Sequence, residues 1–198
     1  MDSQRIRHVV YIPGLNDHRA KLQYKVVRAW RLLGVKVTIE PMNWSDQKSY
    51  DSKLEHLLAT IDMLHDQGHE VSLVGVSAGA SMALNAFAVR PHTVYKVACI
   101  CGKINHPETV ANVTYQRNPA FKESMDLLEN SINNLSIQQL ERIRCIHPLA
   151  DNIVPIADTK VDGASEKTIP VVGHTLGIVY AITLGSLDIT SFMKKQLY

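Results

Sequence analysis

A serine stands between two glycines in the run G-V-S-A-G at positions 75–79, which fits the pattern G-x-S-x-G. The residues before it are mostly apolar and β-branched and predict a buried strand, and the residues after it are strong helix formers. A side chain at position 75 or 79 would collide with the neighbouring strand or helix, so the glycines permit a tight turn. Such a turn, a nucleophile elbow, exposes the Ser77 hydroxyl and leaves the Ala78 amide at a helix N-terminus, where it can donate to an anion. We therefore predict that Ser77 is a nucleophile.

Strand and helix signals alternate along the chain, which predicts an α/β fold with a mainly parallel sheet and helices on both faces. The six predicted strands cover approximately residues 7–12, 35–39, 71–76, 95–100, 143–146 and 167–172. The inward positions of the first helix are predicted to be Leu22, Val26, Trp30 and Leu33. One last helix is predicted from about Thr175 to Lys195, with Leu176, Tyr180, Leu184 and Leu187 facing inward.

The organisation of the chain predicts a single domain over residues 1–198, because no repeat, linker or low-complexity segment divides it. The longer excursion at about 102–142 is expected to fold partly over the site as a small cap. A chain of 198 residues with 45% hydrophobic residues can bury a sizeable core. Its formal net charge of +2 does not point to nucleic acid or to an anionic membrane surface.

The cysteines and the apolar runs predict a cytoplasmic protein. Three cysteines without a C-x-x-C pair are typical of reduced thiols. Cys99 and Cys101 are two apart on a predicted strand and are expected to share one face, a poor geometry for a disulfide. The N-terminus lacks an apolar signal core, and no run reaches the ~18 apolar residues of a membrane span.

An acid and a base candidate follow the last two predicted strands. Asp151 lies in the run H-P-L-A-D-N-I-V-P, and His174 ends the run V-G-H. Together with the turn at Ser77, these runs resemble the α/β-hydrolase fold family, and the resemblance covers nearly the whole chain. It implies the strand order 2-1-3-4-5-6, a crevice at the carboxyl ends of strands one and three, and a catalytic triad of Ser77, Asp151 and His174.

These three residue types suit acyl transfer. A serine hydroxyl is a weak nucleophile until a base takes its proton, and a neutral imidazole can do so near pH 7. A carboxylate fixes the tautomer of that imidazole and stabilises the imidazolium. The resemblance also implies an oxyanion hole made by the backbone N–H groups of Leu15 and Ala78. The chain departs from the lipases at this loop, since it has Pro13-Gly14 where they have His-Gly.

Plainer interpretations of the same residues stay open at this stage. Ser77 could be an ordinary turn serine, and His174 could cap the last helix. Asp158 and Asp162 lie in the same part of the chain as Asp151, and each is an alternative acid or a simple turn residue.

Asn16, Trp44 and Lys103 lie at or after strand ends and are candidate substrate contacts. The alternatives are core or rim packing for Trp44 and a solvated loop charge for Lys103. Asp17 and His18 adjoin the predicted oxyanion loop, and we interpret them as surface loop residues.

A metal site is not predicted. His65 and His69 are four residues apart, but Gly68 ends the helix between them, so they do not form a ligand pair on one helix face.

The sequence thus predicts a serine hydrolase that cleaves a small-molecule carboxylic ester or thioester through an acyl-Ser77 intermediate, without a metal or an organic cofactor. An acyltransferase or a peptidase using the same triad is an alternative, because fold does not fix function. A non-enzymatic interaction protein that retains the fold is another. An intact triad argues against that last alternative, since a binding protein would not need all three residues.

Overall fold

Six strands form one parallel sheet in the computed structural model, which describes residues 6–196. The strands are β1 (Arg7–Ile12), β2 (Lys36–Ile39), β3 (Glu70–Val76), β4 (Val94–Ile100), β5 (Ile143–Ala150) and β6 (Ser165–Val172). Their order across the sheet is β2-β1-β3-β4-β5-β6, which confirms the order implied by the resemblance. The order reverses between β1 and β3, so a crevice opens at the carboxyl ends of these two strands.

The central strands are nearly continuous runs of apolar residues because helices cover both faces of the sheet. In β1, Val10 and Ile12 face one helical layer and Val9 and Tyr11 face the other, and all four are at most 1% exposed. The helices are α1 (Lys21–Arg28), α2 (Tyr50–Asp66), α3 (Gly79–Val89), α4 (Asn112–Arg117), α5 (Pro119–Asn133), α6 (Ile137–Leu140), α7 (His174–Ile182) and α8 (Ser186–Lys194). α2, α3 and α5 pack on one face of the sheet, and α1, α7 and α8 pack on the other.

The excursion at 102–142 contributes α5 to a helical layer of the fold. The Ser124 hydroxyl lies 2.8 Å from that of Ser81 on α3, and the Asn85 side chain donates to the Ser124 carbonyl at 2.9 Å. Phe121 and Leu128 are buried in the same layer. A cap function for part of this segment stays a prediction.

The predicted first helix differs from the structure in its inward face. α1 ends at Arg28 and continues as a 3₁₀ turn over Ala29–Leu33, so the angular spacing of the side chains changes within the segment. Val27 and Trp30 are buried, whereas Leu22 is 73% exposed, and its predicted inward position is therefore wrong. The Trp30 indole N–H donates to the Ile182 carbonyl at 3.0 Å and links this segment to α7.

The single predicted last helix is wrong. The chain forms α7 and α8, bent by 58° at residues 183–185, and the Gly185 N–H closes α7 on the Tyr180 carbonyl at 2.8 Å. Because the break changes the helical phase, a single 3.6-residue pattern across the whole segment predicts the wrong inward positions for α7 and α8. Buried positions are Ile178, Ala181, Ile189, Phe192 and Met193, whereas Leu176, Leu184 and Leu187 are more than 60% exposed.

Among residues 6–196, none of the individual helices has both the length and the apolar character needed to cross a membrane. α7 and α8 reach that length and composition only as a bent pair.

Candidate active site

Ser77 lies on the turn between β3 and α3 in a left-handed backbone conformation, with φ of 52°. Its N–H donates to the Ile100 carbonyl on β4 at 2.9 Å, and its carbonyl accepts from the Ala80 N–H at 3.1 Å. Left-handed backbone is costly for a residue with a side chain and persists where surrounding contacts enforce it. The turn therefore holds the Ser77 hydroxyl away from the core of the sheet.

Close backbone approaches explain the two glycines of the motif. A Cβ atom on Gly79 would lie 2.3 Å from the Ile12 carbonyl oxygen at the end of β1, and one on Gly75 would lie 2.5 Å from the Gly79 carbonyl oxygen. Backbone atoms cannot move away as a flexible side chain can. The predicted collisions at both positions are confirmed.

The imidazole of His174 reaches Ser77 from α7. Its Nε2 lies 3.0 Å from the Ser77 Oγ, and its side chain is 8% exposed. His174 is the first residue of α7, and the preceding Gly173, with φ of 99°, donates its N–H to the Ala150 carbonyl at the end of β5 at 2.7 Å. The histidine is therefore fixed to the sheet edge by backbone contacts on its N-terminal side.

The carboxylate of Asp151 lies behind the histidine. Its Oδ2 is 2.7 Å from the His174 Nδ1, and its side chain is fully buried. Its Oδ1 accepts the backbone N–H groups of Ile153 at 2.8 Å and Val154 at 2.9 Å. One oxygen thus anchors the carboxylate to its own loop and leaves the other for the histidine, so Nδ1 carries the proton and Nε2 is free to accept one.

The loop after β1 passes directly over the serine. A Cβ on Gly14 would lie 2.8 Å from the Ser77 Cβ, and Leu15 lines the same cavity as Ser77. Ala78 follows Ser77 at the N-terminus of α3. Within residues 6–196, the Leu15 and Ala78 N–H groups donate no hydrogen bond, so both are available to an anion near the Ser77 hydroxyl.

The cavity in front of the serine has a volume of about 370 Å³. Ser77 and His174 open into it, and so does Asn16, one of the predicted substrate contacts. The sequence interpretation missed the other side chains that line it, which are Arg19, Ala20, Gln23, Val76, Ile153, Thr175 and Ile178. Arg19 and Gln23 could have been found from the sequence, since they follow Leu15 closely in the chain.

Comparisons with known proteins agree with this geometry at the level of fold. No family model and no curated protein matches the sequence. Solved structures match over almost the whole chain. One reported for the metagenome-derived lipolytic enzymes LipS and LipT has a TM-score of 0.70 and 11% identity, covering 97% of this chain and 95% of that one. Est1E from Butyrivibrio proteoclasticus has a TM-score of 0.68 and 11% identity, with coverages of 98% and 89%.

A third structure is described as an alpha/beta hydrolase enzyme, MGS-MChE2, from a metagenome of lagoon sediments at Mar Chica, Morocco. It has a TM-score of 0.55 and 18% identity, covering 95% of this chain and 89% of that chain. The chain has the α/β-hydrolase fold. Similarity at identities this low establishes the fold only. The activity has to be argued from the residues of this site.

Trp44 supports the candidate site from outside the cavity, which corrects its prediction as a substrate contact. The residue is 1% exposed, and its indole N–H donates to the Pro13 carbonyl at 3.1 Å. Its ring packs edge-to-face on Phe121 with 5.8 Å between centroids. Trp44 therefore holds the loop that carries Leu15, because Pro13 belongs to that loop.

Lys103 is neither the predicted substrate contact nor a solvated loop charge. Its ammonium group is buried in an ion pair with Asp158 and donates to the Thr109 hydroxyl at 2.6 Å. The second oxygen of Asp158 lies 2.6 Å from the His106 Nδ1. The Lys103 backbone N–H donates to the Ser77 carbonyl at 3.1 Å. The ion pair thus ties the loop after β4, which supports Ser77, to the segment after the Asp151 loop.

The two alternative acids are placed away from the histidine. Asp158 is committed to Lys103 and His106, and Asp162 is exposed on the loop before β6. In the described part of the chain, the His174 Nδ1 bonds Asp151.

Asp17 is buried, and its interpretation as a surface loop residue is wrong. Its Oδ2 accepts the Asn43 N–H at 2.6 Å, and its carbonyl accepts the Tyr24 hydroxyl at 2.9 Å. These contacts hold the 3₁₀ turn over Asp17–Arg19, directly after the predicted oxyanion loop. The neighbouring His18 is exposed, in agreement with the prediction for that residue.

Cys99 and Cys101 lie in different layers of the fold, so the prediction that they share a face is wrong. Cys101 follows the end of β4 and has φ of 47°, which breaks the strand alternation. Cys99 instead pairs with Cys145 across β4 and β5, and that hydrogen bond together with burial raises the pKa of the Cys99 thiol. The three thiols are free and buried.

Cys101 approaches the acid and base. Its sulfur and one ligand atom each of Asp151 and His174 lie within 4.8 Å of one another, which is the one group of three potential metal ligands found in residues 6–196. Burial and the nearby Asp151 charge raise the pKa of the Cys101 thiol to about 12. The thiol is therefore protonated near neutral pH, whereas a thiolate is the form that binds a metal well. A metal-free site stays a prediction.

Asp158→Asn is expected to lower the free energy of unfolding by about 3 kcal/mol near pH 7, because it leaves the buried Lys103 ammonium without its charged partner. Burial alone would raise the pKa of Asp158, but the hydrogen bonds from Lys103 and His106 outweigh it and hold the pKa below its usual value. Such a carboxyl stabilises the fold above its unfolded pKa and loses this contribution as the pH falls through its folded pKa.

The difference between wild type and variant should therefore shrink as the pH falls below about 4. Urea unfolding at neutral and at strongly acidic pH measures it. A difference of equal size at both pH values would contradict this account of the Lys103–Asp158 pair.

Proposed function

We propose that the protein is a serine hydrolase that cleaves a carboxylic ester or thioester through an acyl-Ser77 intermediate. The observation that carries the proposal is the hydrogen-bonded chain at the cavity, with 3.0 Å from Ser77 Oγ to His174 Nε2 and 2.7 Å from His174 Nδ1 to Asp151 Oδ2. Geometry of this kind is what activation of a serine requires. The description of structural neighbours as lipolytic or hydrolase enzymes supports the same general class.

Acylation begins when the Ser77 Oγ attacks the carbonyl carbon of the substrate. The Oγ proton passes to the His174 Nε2, and the buried Asp151 carboxylate stabilises the imidazolium that forms. The carbonyl oxygen becomes an oxyanion, which accepts hydrogen bonds from the Leu15 and Ala78 N–H groups. The tetrahedral intermediate then collapses, the bond to the leaving group breaks, and His174 gives its proton to the departing alcohol or thiol.

Deacylation repeats these steps with water as the nucleophile. His174 takes a proton from water as its oxygen attacks the acyl carbon, and the same two N–H groups hold the second oxyanion. The bond from carbon to the Ser77 Oγ breaks, and the serine recovers its proton from the imidazolium. A carboxylic acid leaves, and the three residues return to their starting protonation states.

The cavity favours a short acyl group. Its volume of about 370 Å³ is near the lower end of the range for small-molecule pockets. Ile153 and Ile178 offer apolar contacts next to Ser77. Cys101 does not compete as a nucleophile, because its buried thiol is neutral at the pH at which the serine acts.

Ser77 is expected to react with a fluorophosphonate probe, because an activated serine attacks such a phosphorus centre quickly. Labelling should be stoichiometric and located on the Ser77 peptide by mass spectrometry. Ser77→Ala should abolish it and leave the far-ultraviolet circular dichroism spectrum unchanged.

Ser81→Ala serves as the matched control, since Ser81 lies in the first turn of α3 with its hydroxyl buried and hydrogen-bonded to Ser124. The control should label like wild type. Strong labelling of the Ser77→Ala protein would exclude Ser77 as the nucleophile.

Asp151→Asn is expected to lower kcat for a 4-nitrophenyl ester by roughly three to four orders of magnitude, because the amide no longer holds the His174 tautomer and orientation. Steady-state kinetics near pH 8 measures the effect. Asp158→Asn and Asp162→Asn test the other two acids: Asp162→Asn should keep kcat within about threefold of wild type, and folded Asp158→Asn, which loosens the loop behind Ser77, should lose far less activity than Asp151→Asn.

Circular dichroism establishes folding before each comparison. A loss of activity in folded Asp158→Asn as large as that in Asp151→Asn would mean that the assignment of the acid to Asp151 is wrong.

A further inference from the structure

Arg19 carries the single permanent charge among the described residues that line the cavity at Ser77. The side chain is exposed to the cavity and solvent, and its guanidinium makes no hydrogen bond or ion pair within residues 6–196. None of the aspartates and glutamates within residues 6–196 lines this cavity. The cation therefore has no internal partner to compete with an anionic ligand.

The backbone under Arg19 is held in place. The Arg19 N–H donates to the Asn16 carbonyl at 2.8 Å within the 3₁₀ turn. The same turn is fixed by the contacts of Asp17 with Asn43 and Tyr24. The Arg19 side chain thus extends from a turn that is held in place. This turn closely follows Leu15, the residue that would offer an N–H to the oxyanion.

Gln23 adds neutral donors to the same cavity. Its Oε1 accepts the Tyr11 hydroxyl at 3.0 Å. Burial raises the pKa of Tyr11, with a further contribution from Tyr24, so the phenol stays protonated and keeps donating. The amide nitrogen of Gln23 is left with two N–H groups that have no acceptor among residues 6–196. The cavity is therefore rich in donors beside its cation.

We infer that the site takes an ester or thioester that carries a carboxylate away from the scissile bond, bound by the Arg19 guanidinium and the Gln23 amide. This inference rests on the proposed hydrolase function and names its substrate class. A guanidinium matches a carboxylate with two parallel hydrogen bonds, and the Gln23 N–H adds a third. The apolar Ile153 and Ile178 would contact the short chain between the two ends of the substrate.

Two matched ester pairs test the inference and place the carboxylate. In one pair the charge is on the leaving group, as in 4-acetoxybenzoate and neutral 4-acetoxybenzamide. In the other it is on the acyl group, as in mono-4-nitrophenyl glutarate and 4-nitrophenyl valerate, with hydrolysis in the absence of protein subtracted. In one pair or both, we expect kcat/KM to be about tenfold or more higher for the anionic ester, mainly through a lower KM.

Arg19→Gln should reduce this preference to about one, because the anionic ester of each pair loses the guanidinium that binds its carboxylate. Lys25→Gln is the matched control, because it makes the same charge change at an exposed position of α1 outside the cavity lining. The control should keep the full preference. Equal kcat/KM for charged and neutral members of both pairs, or a preference that survives Arg19→Gln, would overturn the inference.

Binding to Ser77→Ala separates this inference from the proposed function. Calorimetric titration with the anionic and the neutral ester of each pair should give, in one pair or both, a Kd about tenfold lower for the anionic ester, and the difference should vanish when Arg19→Gln is added. If neutral esters are cleaved and Ser77 is labelled but binding shows no such difference, the inference fails and the hydrolase stands. If the anion binds through Arg19 but no ester is cleaved, the proposed function fails and the binding site stands.

Discussion

The site depends on the contact between the exit of β1 and the start of α3. Gly79 lies so close to the Ile12 carbonyl that a methyl group there would come within 2.3 Å of the oxygen. This approach forces the chain after β1 over the serine turn, where Gly14 meets the Ser77 side chain. Leu15, which follows Gly14, and Ala78, which follows Ser77, are thereby brought together from distant parts of the sequence. In the proposed reaction their N–H groups would bind the oxyanion, and donors that are in place before substrate arrives do so most effectively.

Buried polar contacts hold the loops around the site in position. Trp44 holds the Pro13 carbonyl, and Asp17 holds the turn that follows Leu15. On the other side, the Lys103–Asp158 pair links the loop behind Ser77 to the segment beyond Asp151. Hydrogen bonds to ionised and buried groups are stronger than those between neutral exposed groups, so these contacts can fix loops that lack regular secondary structure.

The positions of the strands and the convergence of Ser77, Asp151 and His174 were accessible from the sequence, and the strand order from the resemblance to the α/β-hydrolase fold family. Parallel strands buried on both faces give apolar runs that are easily located, and residues directly after such strands converge at one edge of the sheet. Ser77, Asp151 and His174 each follow a strand within a few residues, so the topology alone places them near one another. Their roles in catalysis remain the proposal made above.

Other features depend on tertiary contacts that no local pattern encodes. The faces of α7 and α8 follow from the break at Gly185, which resets the helical phase. Lys103 and Asp17 look like surface charges in the sequence, because their partners lie on other segments. Arg19 follows the predicted oxyanion loop in the sequence. Its inferred role in anion binding depends on the cavity, whose described lining residues include no acidic side chain.

The most direct measurement of the central claim is the partition of one acyl group between water and methanol. Three acetyl esters with different leaving groups are hydrolysed in the presence of a fixed methanol concentration, and the ratio of methyl acetate to acetate is determined. A common acetyl-Ser77 intermediate predicts the same ratio for all three esters, because the leaving group has departed before water or methanol attacks. A ratio that changes with the leaving group would mean direct attack on the bound ester and would contradict the account.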